Sequence, residues 1–390
     1  NNGTLAAYGD VVNSGGGCGA GTALVKVMGS GNQTVTGVSG AFFPTFELAS
    51  TGGVVTYSGT LQFYGNYTHT SGTVNSGTSA VNFFCPYSTN KTVIPGSTTF
   101  NDVTFSGSGA NISLSSGTMN VAGTLTLTSQ VGNGINLNSG SVLAAGNINV
   151  TGSGNGGSAL IRLVGAANQT LTGVTGAILP DVEIASTGGT VSFSGIIDVR
   201  GNFTFTSGAL AAGTSTLRFM GTYASSKTVT PGSATYANIV FYSYDSTYSL
   251  GGGTLNASTL TFTTVSGSGC NINSGTLAVT GDVSVTVNGC AGTAGVNFTG
   301  NSDSSFTSSG GNFPRGNATV TKGAASTLTL NSNLSLAGTG QTLVISSGTL
   351  NMNAKNLSVN SNLTISAGAT LTQGGGSLTY GSLTNNGTLN

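Results

Sequence analysis

Carboxylates are the residues of this sequence whose spacing comes closest to a catalytic pattern. The 390 residues include nine Asp and Glu, and the densest group is Asp181, Glu183 and Asp198 beside Arg200. Residues two positions apart share one face of a strand, so such a group could supply the paired carboxylates that polysaccharide hydrolysis uses. An earlier copy of the same stretch, described below, keeps only one of the four residues. We therefore predict a structural ion pair or a solvated face, no catalytic residues and no enzyme.

The four cysteines and the single histidine do not form a metal-binding pattern. There is no Cys-x-x-Cys pair, and one histidine does not complete a common zinc site, so we predict no metal-binding or cofactor-binding residues and no cofactor. The separation of Cys270 and Cys290 is close to one coil of the repeat described below, so these two residues either form a disulfide or pack as small core side chains. Cys18 and Cys85 lie about three coils apart and are not expected to bond within one chain. His69 is expected to face outward from a strand.

Two acidic residues have a lysine at the same distance along the chain. Glu47 precedes Lys91 by as many positions as Glu183 precedes Lys227. This distance is near two coils, so we expect these residues to pair across coils or between chains.

Composition excludes several classes of protein. The chain has nine Lys and Arg against nine Asp and Glu, so it offers no electrostatic surface for nucleic acid or anionic lipid. No run of 18 apolar residues occurs, and we predict no membrane insertion. Gly, Ser, Thr, Asn and Val dominate and are poor helix formers, which favours an all-β chain. A surface with so few charges has little to oppose self-association, so assembly is the expected working state.

Two stretches of the chain are copies of each other. Residues 32–105 align with residues 168–241 without a gap, and Asn32-Gln33-Thr34, for example, matches Asn168-Gln169-Thr170. Self-similarity at a fixed period is typical of repeat architectures.

A phase marker divides the chain into long repeats. The marker is Gly-Thr-Leu or a close variant, in the first three cases followed by Gly and then Asp or Asn. It begins three long repeats and the start of a fourth, which are residues 3–139, 140–274, 275–386 and 387–390. We predict one continuous domain over residues 1–390.

A shorter spacing lies inside the long repeats. Strand starts that resemble the marker recur about every 20 residues, for example at Gly117 and Gly140, and alternating segments such as Thr124-Leu125-Thr126-Leu127 lie between them. Period-two alternation indicates half-buried strands, and glycine-rich pairs supply the corners. The sequence therefore predicts a β-solenoid with coils of about 20–23 residues. A string of β-sandwiches, the alternative fold, explains the strands but not the spacing.

The coil pattern, Gly-Thr-Leu followed by Gly and Asp or Asn before an apolar residue, resembles the solenoids of large bacterial surface proteins. These include the filamentous-haemagglutinin-like and autotransporter-passenger regions. The resemblance implies a right-handed β-helix and an extracellular or cell-surface location. It transfers no catalytic residue, because none of the matching motifs carries one.

Both ends of the sequence consist of coil motif without a cap. They are Asn1-Asn2-Gly3-Thr4-Leu5 and Asn385-Asn386-Gly387-Thr388-Leu389. A solenoid that remains monomeric needs polar caps, so we predict that these ten residues form the interface of a head-to-tail homopolymer. The alternatives are that residues 1–390 are cut from a longer polypeptide, or that a leader has been removed.

Three functions from different classes follow. The first is a structural subunit of an extracellular filament, whose partner is a second copy of the chain. The second is a surface adhesin or stalk segment of a larger exported protein, for which surface glycans are the expected partner. The third is a polysaccharide-binding or polysaccharide-degrading β-helix protein. The scarcity of charge favours the first.

Overall fold

The structure is a computed structural model that describes residues 2–15, 22–86, 89–129, 134–152, 156–264, 269–286 and 288–390. These residues form β-strands, turns and irregular segments. They include no helix that is long and apolar enough to cross a membrane. The prediction of an all-β fold is confirmed.

The chain forms two compact units. The first unit comprises Asn1–Gly201 and Thr206–Ala211, and the second comprises Asn202–Phe205 and Ala212–Asn390. The strands up to residue 199 are β1 Thr4–Ala7, β2 Val11–Asn13, β3 Leu24–Val27, β4 Gln33–Gly37, β5 Phe42–Phe43, β6 Thr45–Phe63, β7 Tyr67–Asn75, β8 Ala80–Cys85, β9 Asn90–Ile94, β10 Thr99–Phe100, β11 Asp102–Gly107, β12 Asn111–Ser113, β13 Thr118–Val121, β14 Leu125–Ser129, β15 Asn136–Asn138, β16 Ser141–Ala144, β17 Ile148–Val150, β18 Gly156–Gly157, β19 Leu160–Leu163, β20 Gln169–Gly173, β21 Ile178–Leu179 and β22 Asp181–Val199.

The remaining strands begin at residue 203. They are β23 Phe203–Ala211, β24 Thr216–Met220, β25 Ser226–Thr230, β26 Thr235–Ser243, β27 Ser246–Ser249, β28 Thr254–Thr264, β29 Cys270–Asn273, β30 Thr276–Val279, β31 Val283–Val285, β32 Cys290–Ala291, β33 Gly295–Gly300, β34 Ser304–Ser308, β35 Ala318–Lys322, β36 Thr327–Leu330, β37 Leu334–Leu336, β38 Leu343–Ser347, β39 Thr349–Asn351, β40 Leu357–Ile365, β41 Thr370–Thr372, β42 Leu378–Asn385 and β43 Thr388–Leu389.

Strands pair in parallel with strands one coil further along the chain. The length of this step varies: it is short where Thr370 lies opposite Thr388, and long where Tyr67 lies opposite Val93. Parallel pairing of successive short strands in this way makes each unit a β-solenoid, as predicted. The right-handed sense and the continuity of the whole chain as one solenoid stay predictions.

Each solenoid core is filled by columns of apolar side chains from successive coils. In the first unit, Phe63 lies opposite Phe83 and Phe83 opposite Phe105, with nearly parallel rings whose centroids are 5.7 and 5.5 Å apart. In the second unit, Phe241 stacks on Phe262 at 6.0 Å. Aromatic pairs at these distances add about 1 kcal/mol each beyond the area they bury. Fully buried rings such as Phe83 and Phe241 therefore stabilise the cores.

Glycine is required where one coil turns closely over another. Gly53 and Gly189 are equivalent residues in the two copies, and both have positive φ, at 66° and 62°. A Cβ on Gly53 would collide with the backbone of Gly31, and one on Gly189 with the backbone of Ala167. Both positions thus exclude other residues for conformational and steric reasons.

Neither predicted lysine–glutamate pair forms across the coils of the described residues, and pairing between chains stays a prediction. Glu47 instead forms an ion pair of 2.9 Å with Lys26, its register partner in the preceding coil. Lys91 occupies an inward position of β9, where it is buried and donates to the carbonyl oxygen of Phe84. Glu183 likewise pairs with Arg162, at 2.7 Å, and not with Lys227.

His69 also differs from its prediction, because it faces inward. It is 6% exposed and lies two residues after the buried Tyr67 on β7. Its Nδ1 is 2.7 Å from the Thr98 hydroxyl, and its Nε2 is 3.1 Å from the carbonyl oxygen of Gly72. A carbonyl only accepts, so the Nε2–H donates to Gly72. The histidine is thus a core residue with both ring nitrogens hydrogen-bonded.

Candidate assembly interface

Asn and Asp side chains connect successive coils at their corners. In each case the side-chain oxygen accepts the backbone N–H of a residue 21 to 26 positions further along, at 2.6–3.2 Å. We call this contact an Asx hook. The hooks are Asp10 to Thr34, Asn32 to Val54, Asn66 to Thr92, Asp102 to Thr124, Asn147 to Thr170, Asn168 to Thr190, Asn202 to Thr228, Asp245 to Gly269, Asp282 to Ser305, Asp303 to Thr327, Asn317 to Thr342, Asn333 to Asn356 and Asn356 to Ser377. They explain why Asp or Asn follows Gly in the marker.

Three buried glutamines reinforce the hooks. Gln169 is 1% exposed, and its Nε2 donates to the carbonyl oxygens of Ala144 and Gly146 in the preceding coil, at 3.0 and 2.7 Å. Gln33 and Gln341 make the equivalent pair of contacts in the other two long repeats. Sequence reasoning missed this role, although the repeated Asn-Gln-Thr was the available signal.

A disulfide joins Cys270 and Cys290. The two residues are register partners on β29 and β32, and their Cα atoms are 4.5 Å apart. Cys85 is a buried free thiol. Cys18 lies outside the described residues, so the predicted absence of a Cys18–Cys85 bond stays a prediction.

The predicted carboxylate group is occupied by structural contacts. Asp198 is fully buried and accepts the backbone N–H of Gly176 at 2.8 Å. Glu183 accepts hydrogen bonds from Arg162 and Thr206. Burial alone would raise the pKa of Glu183, but these two hydrogen bonds and the charge of Arg162 together lower it. Glu183 is therefore an ionised partner of Arg162.

Most other carboxylates of the chain are similarly engaged. Asp10, Asp102, Asp245, Asp282 and Asp303 form Asx hooks. Within the described residues, no group of three or more His, Cys, Asp and Glu is placed to hold a metal ion. That no residue is catalytic or binds a cofactor stays a prediction.

The first coil presents an unpaired strand edge. Strands β1 and β2 pair with β3 and β4, and among the described residues no strand pairs with their other edges. Leu5, Tyr8 and Val12 are 62, 70 and 66% exposed. Asn2, Gly3 and Thr4 are exposed as well, and Asn1 lies outside the described residues.

The last coil presents the opposite edge. Strands β42 and β43 pair with β40 and β41 on one side only, within the described part of the chain. Leu389 is 38% exposed, whereas its register partner Leu371 is fully buried. Asn385, Asn386 and Thr388 are exposed, and Gly387 is half-buried.

The marker at Gly387 does not continue the ladder of the preceding marker. Leu277, in the third marker, follows Leu255 in a ladder that continues through Val296, Ala318, Leu343 and Leu363 and ends at Leu383. Leu389 belongs to a different ladder, which includes Leu328, Leu350 and Leu371. Because Leu5 and Leu277 are equivalent in the repeat, Leu383 is the residue of the last coil that lies on the ladder equivalent to that of Leu5.

Comparison with known proteins assigns no relative to this chain: no family model matches it, and no curated protein or solved structure is detectably similar.

Proposed function

We propose that the chain is a structural subunit of an extracellular filament that grows head to tail by strand pairing. The observation that carries this proposal is the pair of open edges, where the exposed Leu5 and the half-buried Leu383 continue columns that are buried one coil further in. Leu5 precedes Val25 and Phe46 in one column, and Leu383 follows Leu363 in another. A second copy that supplies the next coil would bury both edges and extend the backbone ladder.

Pairing between the last coil of one copy and the first coil of the next is heterologous. Such a contact joins two different surfaces, so each added copy leaves a free edge at both ends, and an open filament results. We place Leu383 of one copy opposite Leu5 of the next, because Leu383 ends the ladder of Leu277, which is the equivalent of Leu5 in the third long repeat.

The extracellular location rests on the disulfide and on the resemblance to bacterial surface solenoids. Disulfides persist in oxidising compartments such as the cell exterior, and this chain contains one, between Cys270 and Cys290. The coil corners are stabilised largely by neutral amides and backbone groups. Such contacts are less sensitive than ion pairs to salt outside the cell.

A surface adhesin or stalk segment is the second candidate. It is favoured by a cleft in the second unit, described in the next subsection. Polysaccharide degradation receives less support, since Glu183 and Asp198 are bound by neighbouring groups of the protein itself.

The assembly proposal is tested by sedimentation and electron microscopy of the full chain over a range of concentrations. We expect fibres that disappear in Leu5→Lys, because a charge at the edge opposes strand pairing. The control is Tyr223→Lys, which places the same charge at a side chain 79% exposed within the second unit. A wild-type chain that sediments as a monomer at high concentration contradicts the proposal. The mass of the native chain shows whether the next coil comes from a second copy or from a longer polypeptide.

A further inference from the structure

One ladder of the second unit is interrupted between two successive coils. Strand β37 pairs with β40 in the following coil, where the N–H of Leu334 donates to Asn356 at 2.9 Å. In the preceding coil, the described residues 309–313 form no strand opposite β37. Asn312 instead pairs with Gly289, in the coil before it, through an isolated parallel β-bridge. The interruption leaves an open cleft of about 260 Å³.

The cleft combines an aromatic wall with a cation. Phe313 is half-buried, and its ring packs edge-to-face on Phe306 at 5.4 Å and on Phe262 at 6.0 Å. These contacts fix the orientation of the ring at the cleft. Arg315 is exposed, and among the described lining residues it carries the single charge.

The rest of the lining supplies neutral polar groups. Ser308, Asn312, Asn333 and Ser335 contribute hydroxyl and amide groups. The Asn333 oxygen is used by its Asx hook to Asn356, which holds that side chain in place at the cleft. The cleft therefore presents a positive charge, a fixed aromatic ring and several hydrogen-bonding groups, and none of its lining residues is acidic.

We propose that this cleft binds an acidic saccharide, with one hexuronate residue in the cleft and the chain continuing into solvent. The guanidinium of Arg315 is suited to a carboxylate, which it binds through two parallel hydrogen bonds. The ring of Phe313 offers an electron-rich face to the C–H groups of a sugar. Ser and Asn side chains both donate to and accept from hydroxyl groups.

Size and charge argue for this class over others. A volume of 260 Å³ is just below the range of about 300–1,000 Å³ typical of small-molecule sites, which fits one sugar residue. A single cation is too little for a nucleic acid, whose binding depends on neutralising several phosphates. The proposal goes beyond the assembly role and does not depend on it.

The test is calorimetric titration of the full chain with trigalacturonate, with the neutral galactose trimer and with inorganic sulfate. We expect trigalacturonate to bind and the neutral trimer to bind at least tenfold more weakly. Arg315→Gln is expected to weaken trigalacturonate binding at least tenfold. Lys355→Gln removes the same charge from the second unit outside the cleft and should leave binding unchanged. Ser335→Trp, which fills the cleft without changing charge, should abolish binding.

Three outcomes overturn the proposal. The first is that trigalacturonate does not bind the wild-type chain. The second is that Lys355→Gln weakens binding as much as Arg315→Gln, which would indicate a diffuse charge effect. The third is that sulfate binds as tightly as trigalacturonate, which would make the cleft a general anion site. Circular dichroism identifies any variant that fails to fold. Trigalacturonate binding by the two remaining variants then shows whether the proposal holds.

Discussion

The side-chain oxygen of Asn147 accepts a hydrogen bond of 2.8 Å from the backbone N–H of Thr170, which lies one coil further along the chain. Gln169, the residue before Thr170, reaches back to the carbonyl oxygen of Gly146, the residue before Asn147. The two dipeptides thus exchange side-chain contacts in opposite directions across one coil step. Because this arrangement recurs in each long repeat, it is part of how the sequence sets the register of its coils.

Loss of an Asx hook should lower stability. We expect Asn147→Ala to reduce the free energy of unfolding by about 1 kcal/mol, the usual value of one such hydrogen bond. Asn147→Asp should be close to wild type, because Asp10 and Asp102 perform the same role. Asn149→Ala, on strand β17 directly after Asn147 but outside the hooks, is the control. Denaturant titration measures all three, and equal losses in Asn147→Ala and Asn149→Ala would remove the special role of the hook.

Loss of a buried glutamine should be more damaging. Gln169→Met keeps the volume but leaves the Gly146 carbonyl oxygen without its side-chain donor and the Gly165 N–H without its side-chain acceptor, and unsatisfied buried groups cost about 1–3 kcal/mol each. For two such groups we expect a loss of about 2 kcal/mol or more, read from the same titration. Gln373→Met, at a half-buried site with one local hydrogen bond, should change stability by less than about 0.5 kcal/mol. A small effect at Gln169 would mean that water replaces its contacts.

The disulfide should stabilise the second unit. Closing a loop of 20 residues is expected to contribute about 3 kcal/mol. Cys270→Ser with Cys290→Ser should therefore unfold at lower temperature and lose all response to reductant. Cys85→Ala should keep the response to reductant seen in the wild type. A wild-type melting temperature that does not change on reduction would contradict this prediction.

Lys91 should make stability rise with pH. Burial lowers its pKa to about 8, although the nearby Cys85 acts in the opposite direction. Because the folded-state pKa lies below the ordinary 10.5, the unfolded chain binds more protons above pH 8, and stability increases up to pH 10.5. Melting temperatures from pH 7 to 9.5, below the range where tyrosines ionise, measure this increase.

The matched variants are Lys91→Met and Lys227→Met, which change equivalent positions of the two copies. Lys91→Met should lose part of the increase with pH, whereas Lys227→Met should retain it. Lys322, whose pKa is also lowered by burial, is present in both variants and contributes equally to the pH dependence of their stability. An identical pH profile for the two variants would show that Lys91 does not remain buried.

The sequence was sufficient to predict the coil and some of its contacts. Period-two alternation and the spacing of the markers indicated a solenoid with one coil for each marker-like strand start. The distance between Cys270 and Cys290, close to one coil, matched a register pair. The strand pattern is local, and the cysteine pairing spans a single coil step, so the uncertainty in the number of residues per coil has little effect on either prediction.

Contacts that depend on which face a residue occupies could not be predicted in the same way. Glu47 and Lys91 lie near two coil steps apart, but Glu47 faces outward and Lys91 inward. The prediction for His69 was wrong because it, too, depended on which face of the strand the side chain occupies. Because the length of the step varies along the chain, an uncertainty of a single position at each step reverses the face on which a side chain lies.

The central claim is that the last coil of one copy pairs with the first coil of the next, with Leu383 opposite Leu5. Parallel neighbours lie within reach of a disulfide, as Cys270 and Cys290 show with Cα atoms 4.5 Å apart. The most direct test is oxidation of a Leu5→Cys, Leu383→Cys variant in which Cys18 and Cys85 are replaced by Ser. The account predicts a ladder of chains linked end to end on a non-reducing gel, and much less linkage when Leu389→Cys replaces Leu383→Cys. Absence of inter-chain linkage, or equal linkage by both pairs, would contradict it.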